Sequence, residues 1–292
     1  MFYLLIKFIL FLINYIICKK YIIKLIYMCE FRNYKDVNIN IKNNYKKARE
    51  YQTLEYVTNM KKKYLNFNNK LKLKYVFKEL EKFVDISDPD ITLPNFYHGI
   101  QTAEAIRLDG HPEWLQLVGL IHDIGKIIYL RGCDKDGTSI KEQWGIVGDT
   151  FIVGCKIPET IVYPEFNHLN KDMKNPLYNT NLGIYKNNCG LNNVTCSWGH
   201  DEYLYQVLKY NKTLLPVEAL YIIRFHSLYL HHLHNEYSDL IDEHDRDMFK
   251  YLKLFNKYDL YTKTDNFVLD NDILNYYDKL INKYIKNSEL YF

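Results

Sequence analysis

The sequence predicts an all-α protein organised as a single domain. Three observations carry that expectation. Glycine and proline are sparse, 12 and 7 in 292 residues, which disfavours a turn-rich all-β fold. Apolar residues recur at the 3, 4, 7 spacing of amphipathic helices. No internal repeat or clear linker interrupts the chain, and its length suits one sizeable core.

Residues 1–28, MFYLLIKFILFLINYIICKKYIIKLIYM, are strongly apolar. Lys7 and Lys19 bracket a run that is short for a membrane span of about 20 residues. No basic segment precedes it and no small-residue cleavage site comes after it. A dispensable leader, an extra packed helix and a signal anchor all remain open, and membrane association is expected only for the anchor. The chain therefore divides into this segment, 1–28, and a helical domain over 29–292.

From about residue 40 to 84 the pattern is helical with Lys-rich faces, read as solvated surface. Leu73, Val76, Phe77, Leu80, Phe83 and Val84 share one stripe. Asp85–Asp90 breaks the pattern as a polar turn. A helix is expected to start near Pro94 and Asn95 and to carry His98, Gln101, Thr102 and Ala105. The next, from about Pro112 to Leu130, is apolar on all sides and so reads as buried. Residues 131–195 are loop-rich. Further helices are expected at His200–Tyr210, from Pro216 as first helical residue to about Ser227, and from Asp245 to Thr262. His226 and Asp259 fall on the apolar stripes of the last two.

Composition excludes some functions. Thirty-eight basic and 35 acidic residues leave a net charge of +3, too balanced to imply nucleic acid. Cysteines at 18, 29, 133, 155, 189 and 196 form no C-x-x-C pair, so a zinc knuckle is not expected. Free thiols in a reducing compartment fit better, and the expected location is cytoplasmic.

The informative conflict lies in the buried helix, where His122, Asp123 and Lys126 interrupt an apolar sequence. Charged groups in a core are costly unless paired or bound to metal. His98, His122, Asp123, His200, His226 and Asp259 together offer four imidazoles and two carboxylates, a set suited to iron, manganese or zinc. Successive helical residues lie about 100° apart, so His122 and Asp123 can reach one cavity, and Asp123 can bridge two metals. Taken singly, His98 and His226 read as hydrogen-bonded core histidines, Asp201 as a helix cap, and Asp259 as an ion-pair partner. His231, His232, His234 and His244 sit in a polar stretch and are expected at the surface.

A His-Asp pair on a buried helix resembles the HD-domain superfamily. Longer strings are similar to the myo-inositol oxygenase family, and in that family's order. They are Ser87-Asp88-Pro89-Asp90, His98-x-x-Gln101-Thr102-Ala103-Glu104, Leu117-Val118-Gly119-Leu120-Ile121-His122-Asp123-Ile124-Gly125-Lys126 and Val147-Gly148-Asp149-Thr150-Phe151-x-Val153-Gly154-Cys155. Ser197-Trp198-Gly199-His200-Asp201-Glu202-Tyr203, Arg224-Phe225-His226-Ser227 and Phe255-Asn256-Lys257-Tyr258-Asp259-Leu260-Tyr261-Thr262-Lys263 complete them. The resemblance covers about residues 31 to 288.

It implies an HD-domain-like helical bundle holding two iron ions in a mixed-valent Fe(II)/Fe(III) pair. His98, His122, Asp123 and Asp259 match the ligands of one iron, and His200 and His226 those of the other, with Asp123 bridging. Asp123 and Lys126 match the catalytic positions. Arg32, Asp85, Ile86, Ser87, Lys126, Gly148, Asp149, His226 and Ser227 match substrate-contacting positions, Arg32 on an N-terminal arm. The implied reaction opens myo-inositol with O2 to D-glucuronate; a monomer is expected, although the sequence does not fix the oligomeric state. The alternative is a metal-dependent phosphohydrolase on the same scaffold. Residues 131–143, RGCDKDGTSIKEQ, look longer than the family's usual connection, and residues 1–28 match nothing in it.

Overall fold

A computed structural model describes residues 32–35, 37–90, 93–261 and 269–292. Segment 1–28, and Thr262 and Lys263 of the last motif, lie outside them. Helix α1 (Ile39–Tyr51) starts where the Asn38 side chain accepts the N–H of Asn40. Helix α2 (Leu54–Tyr64) starts where the Thr53 hydroxyl accepts that of Tyr56. Both are side-chain N-caps. Strand β1 (Lys70–Lys72) runs into α3 (Leu73–Leu80), and the Asp85 turn leads to α4 (Asn95–Leu108) and α5 (Glu113–Ile121). After the long loop come α6 (His200–Tyr210), α7 (Val217–Phe225), the single turn α8 (Tyr229–His232), α9 (Glu243–Tyr261), α10 (Asn271–Tyr284) and β2 (Glu289–Tyr291).

The fold is all-α in one domain. Helix α4 packs along α5, α6 against α7, and α9 closes over all but α6 of these. Ile100, Ala103, Leu117, Ile121, Val207, Ile222 and Phe255 form the interior between them. Burial of this apolar surface supplies the main drive for folding. The expected 40–84 helical region resolves into three helices, and the Asp85 turn is found. Among the described residues no helix is long and apolar enough to cross a membrane. Cys133, Cys155, Cys189 and Cys196 are free thiols, as expected.

Four expectations need correction. The helix expected from Pro112 to Leu130 is α-helical only to Ile121, and Ile124–Arg131 winds as a tighter 3-10 helix. The Gly119 carbonyl, which the next helical bond would use, accepts Nδ1–H of His122 instead. A side chain here competes with the ladder. Gly125 is obligatory in the tighter segment, because a Cβ there would lie 2.1 Å from the His200 carbonyl oxygen. The second correction concerns Pro216, which caps α7 rather than opening it, and α7 ends before His226. Third, two short strands pair antiparallel, Lys70 with Tyr291, Leu71 with Leu290 and Lys72 with Glu289. At three residues each they are too short to show alternation in the sequence. Fourth, His231 and His232 are buried, because α8 turns them beneath α9 instead of outward.

The 131–195 segment has only short 3-10 turns but is not loosely attached. Trp144, Ile146, Val147, Phe151, Ile152 and Val153 are buried in the core. An isolated bridge joins Ile152 to Cys196. This anchored loop carries Gly148 and Asp149 to the site.

Candidate metal centre and its cavity

Six side chains from five parts of the fold converge in the core. His98 comes from α4, His122 and Asp123 from the junction after α5, His200 from the first turn of α6, His226 from the end of α7 and Asp259 from α9. All six are buried. Asp123 stands between two sets. Its Oδ1 lies 3.0 Å from Nε2 of His200 and 3.7 Å from Nε2 of His226. Its Oδ2 lies 3.5 Å from Nε2 of His122 and 4.0 Å from Nε2 of His98. Asp259 Oδ1 completes the second set, 2.9 Å from His98 and 3.3 Å from His122.

The tautomers decide what this cluster can do. Nδ1 of His122, His200 and His226 each faces a backbone carbonyl, of Gly119, Ile146 and Ile223, at 2.9, 2.7 and 2.9 Å. A carbonyl only accepts, so in the neutral rings Nδ1 carries the hydrogen and Nε2 carries a lone pair. The Nε2 atoms of His200 and His226 then face each other at 3.0 Å. The Nε2 of His122 likewise faces carboxylate oxygens. Lone pairs aimed at lone pairs repel unless a cation sits among them. Histidine ligands held by a carbonyl at the far nitrogen are the usual outer shell of a metal site. The donor set therefore fits two metal ions, and two groups of donors close enough to share an ion are present.

Charge is arranged around the same aspartate. Burial opposes ionisation of Asp123, but its charged neighbours, Lys126 foremost, outweigh it and hold its carboxyl well below the usual range. Lys126 is itself buried, and the neighbouring Asp123 and Asp85 keep it charged by raising its pKa despite that burial. Its Nζ donates to Asp123 Oδ2 at 2.8 Å, Asp85 Oδ2 at 2.8 Å and Asn95 Oδ1 at 2.7 Å. These use all three N–H donors of the ammonium.

Above the cluster lies a polar cavity that opens to solvent at its mouth. Asp85, Ser87, Lys126, Gly148, Asp149, His226, Ser227 and Arg32 line it. Arg32 closes one side, with Nη2 2.6 Å from Asp149 Oδ1 and its guanidinium 3.7 Å above the Tyr229 ring. Tyr45 also donates to Asp149 Oδ1 at 3.2 Å. Gly148 has φ +111°, a conformation that favours glycine, and this turn presents Asp149 to the cavity.

The six candidate ligands meet, and the substrate-contact candidates surround one cavity. Ile86 is the exception: it is not on the cavity wall, and its backbone N–H donates to Gln143. Asp201 is not the expected helix cap: Gly199 holds that position, and Asp201, second in α6, accepts the Glu202 N–H and the Thr150 hydroxyl. Asn95, Tyr34, Tyr45 and Tyr229 also line the cavity, and sequence reasoning missed them. Asn95 had a signal, since it opens α4 in the same turn-to-helix connection as Asp85. The tyrosines had none, being 3 of 28 in the chain.

His231 and His232 complete the correction at the site. His232 Nε2 donates to the His226 carbonyl at 3.0 Å. Burial pushes its pKa down to about 3, so the ring is neutral at physiological pH.

Comparison with known proteins agrees with the geometry. The sequence model of the family described as myo-inositol oxygenase matches residues 38–292. The inositol oxygenase of Dictyostelium discoideum is 43% identical over 263 residues, covering 88% of each chain. That of Danio rerio is 43% identical over 261 residues, covering 87% of this chain and 91% of its own. Inositol oxygenase 1 of Arabidopsis thaliana is 44% identical over 235 residues, covering 80% and 74%.

Proposed function

The chain belongs to the myo-inositol oxygenase family, and on that footing we propose that it cleaves the ring of myo-inositol with O2 to give D-glucuronate. Two iron ions, cycling from a mixed-valent Fe(II)/Fe(III) pair, would supply Lewis acidity toward the substrate hydroxyls and electrons for O2. His98, His122 and Asp259 would hold one iron and His200 and His226 the other, with Asp123 shared. The observation that carries this reading is the division of Asp123, whose two oxygens face different pairs of histidines.

The remaining residues bind and orient. A polyol offers many hydroxyls and no charge, so recognition requires donors and acceptors around the ring. Asp149, Ser227, Asp85, Ser87 and Arg32 supply both kinds on the cavity wall. Sites of this kind reject analogues lacking one hydroxyl by roughly 10⁴-fold. Lys126 must release one of its three partners to bond a hydroxyl, and the neutral Asn95 is the weakest held, since it lacks the Coulomb attraction that Asp123 and Asp85 add. His226 reaches the substrate side as well as the metal side of the cavity.

The phosphohydrolase alternative is less well supported. Arg32 and Lys126 are the two cationic side chains on the described cavity wall, and both are already paired with carboxylates. A phosphate ester would need uncommitted positive charge there. The reading extends to residues 29–292 as the catalytic domain of a cytoplasmic monomer.

The test compares two reactions of the iron-loaded, partly reduced protein. Consumption of O2 on adding myo-inositol, matched by glucuronate, is expected. Hydrolysis of phosphate monoesters without O2 uptake would overturn the proposal in favour of the hydrolase. Removal of residues 1–28 is expected to leave the protein in the soluble fraction, where the full chain is also expected. A shift from membrane to soluble fraction on that deletion would overturn the cytoplasmic assignment.

A further inference from the structure

One buried imidazole is used by neither the metal centre nor the cavity wall. His232, in α8, is 3% exposed, and Asn256, in α9, is 5% exposed. Helix α7 ends at Phe225, so the His226 carbonyl belongs to the last turn, where carbonyls lack helical partners. His232 Nε2–H supplies that partner at 3.0 Å. The Asn256 amide nitrogen packs against the same ring, 2.9 Å from Nδ1 and 3.1 Å from Nε2. Asn256 stands three residues before Asp259, on the same face of α9.

The chain of polar contacts therefore spans the centre from outside. It begins on the helix that carries Asp259, of one half-site, and ends on the backbone of His226, of the other. The ring of His226 is already oriented by the Ile223 carbonyl at Nδ1, but that bond turns with the helix end. His232 fixes the helix end itself. We infer that His232, held by Asn256, is a positioning residue that sets His226 against His200 and so tunes the second metal half-site. The same ring packs edge-on to Tyr229, with centroids 5.0 Å apart, and Tyr229 carries the Arg32 guanidinium.

This rests on the dinuclear reading above, and the test reads metals rather than turnover. The full-length, iron-loaded protein is titrated with a chelator while iron per chain is counted. Loss of an outer-shell partner typically weakens metal binding 10- to 100-fold. In His232→Phe, one of two irons should leave at about 10- to 100-fold lower chelator, while the iron of His98, His122 and Asp259 holds as in wild type. His232→Gln keeps an N–H near the Nε2 position and should restore the second iron. Asn256→Leu should weaken the same iron by less. The inference fails if His232→Phe retains both irons as tightly as wild type, if both are lost together, or if His232→Gln is as weak as His232→Phe. Should His232→Phe not fold, the other two variants decide: unchanged binding in Asn256→Leu overturns the inference. A wild-type protein that holds two irons yet takes up no O2 with inositol would defeat the oxygenase reading and leave this result standing.

Discussion

The floor and the roof of the cavity are built differently. The floor draws its six candidate ligands from α4 to α7 and α9, and all are buried. Three of its imidazoles are fixed by backbone carbonyls. The roof is a short arm and an anchored loop joined mainly through Arg32 and Asp149. Tyr34 and Tyr45 share a hydrogen bond at 2.9 Å beside that pair. Arg32 has φ +59°, a left-handed conformation costing roughly 1–2 kcal/mol for a residue with a side chain. The Asp90 carboxylate compensates by accepting its backbone N–H from both oxygens at 3.1 Å. A preorganised floor and a roof held by polar contacts suit a site that keeps its metals while its substrate exchanges.

Substitutions can break this contrast, and the largest effects should come from the floor. Asp123→Ala removes the carboxylate shared by both half-sites. It should lose both metals and reduce turnover by at least about 10³-fold, as removal of a central catalytic group does. Metal analysis beside the rate decides, and retention of two metals would move the bridge elsewhere.

Lys126→Met comes next. It keeps the ligands but leaves Asp85 and Asp123 without their cation. A fall in kcat/KM of about 10²-fold with iron content maintained is expected, equivalent to about 3 kcal/mol, the upper range for a hydrogen bond to a charged group. An unchanged KM and kcat would remove Lys126 from substrate binding.

Arg32→Gln tests the roof. Its expected signature is a rise in KM of about 10-fold with kcat and iron content little altered, the mark of lost uniform binding. Loss of metal in this variant would show that roof and floor are not separable.

The smallest effect concerns stability and pH. Burial raises the pKa of Asp85, but Lys126 and the Ser87 hydroxyl outweigh it and bring it below its usual value. A carboxylate with a lowered folded pKa stabilises above its unfolded pKa of about 3.9 and loses that contribution as pH falls through the folded value. Asp85→Asn should therefore destabilise the protein by about 1–2 kcal/mol at pH 7. The two proteins should converge in urea melts at pH values below that window. An equal gap at pH 7 and at the lowest pH would deny Asp85 an electrostatic role.

The same contrast explains what was legible in the sequence. His122 and Asp123 could be read because ionisable groups in an apolar helix demand a partner. The helix boundaries around His98 and His200 came from periodicity and turn residues. The break after Ile121 could not, because it depends on the His122 ring reaching the Gly119 carbonyl and on Gly125 meeting His200. Burial of His232 was hidden by its polar neighbours, since His234 and Asn235 beside it are exposed. Roof tyrosines were invisible for a different reason. Tyr45 lies on α1 and Tyr229 on α8, and only tertiary packing brings both to Arg32 and Asp149.

The most direct test of the central claim is the magnetic state of the iron-loaded, half-reduced protein. Two irons bridged by one carboxylate should couple, so the account predicts two irons per chain and a spin-coupled half-integer signal that changes on adding myo-inositol. One iron per chain, or two irons giving only uncoupled signals, would contradict a centre shared through Asp123.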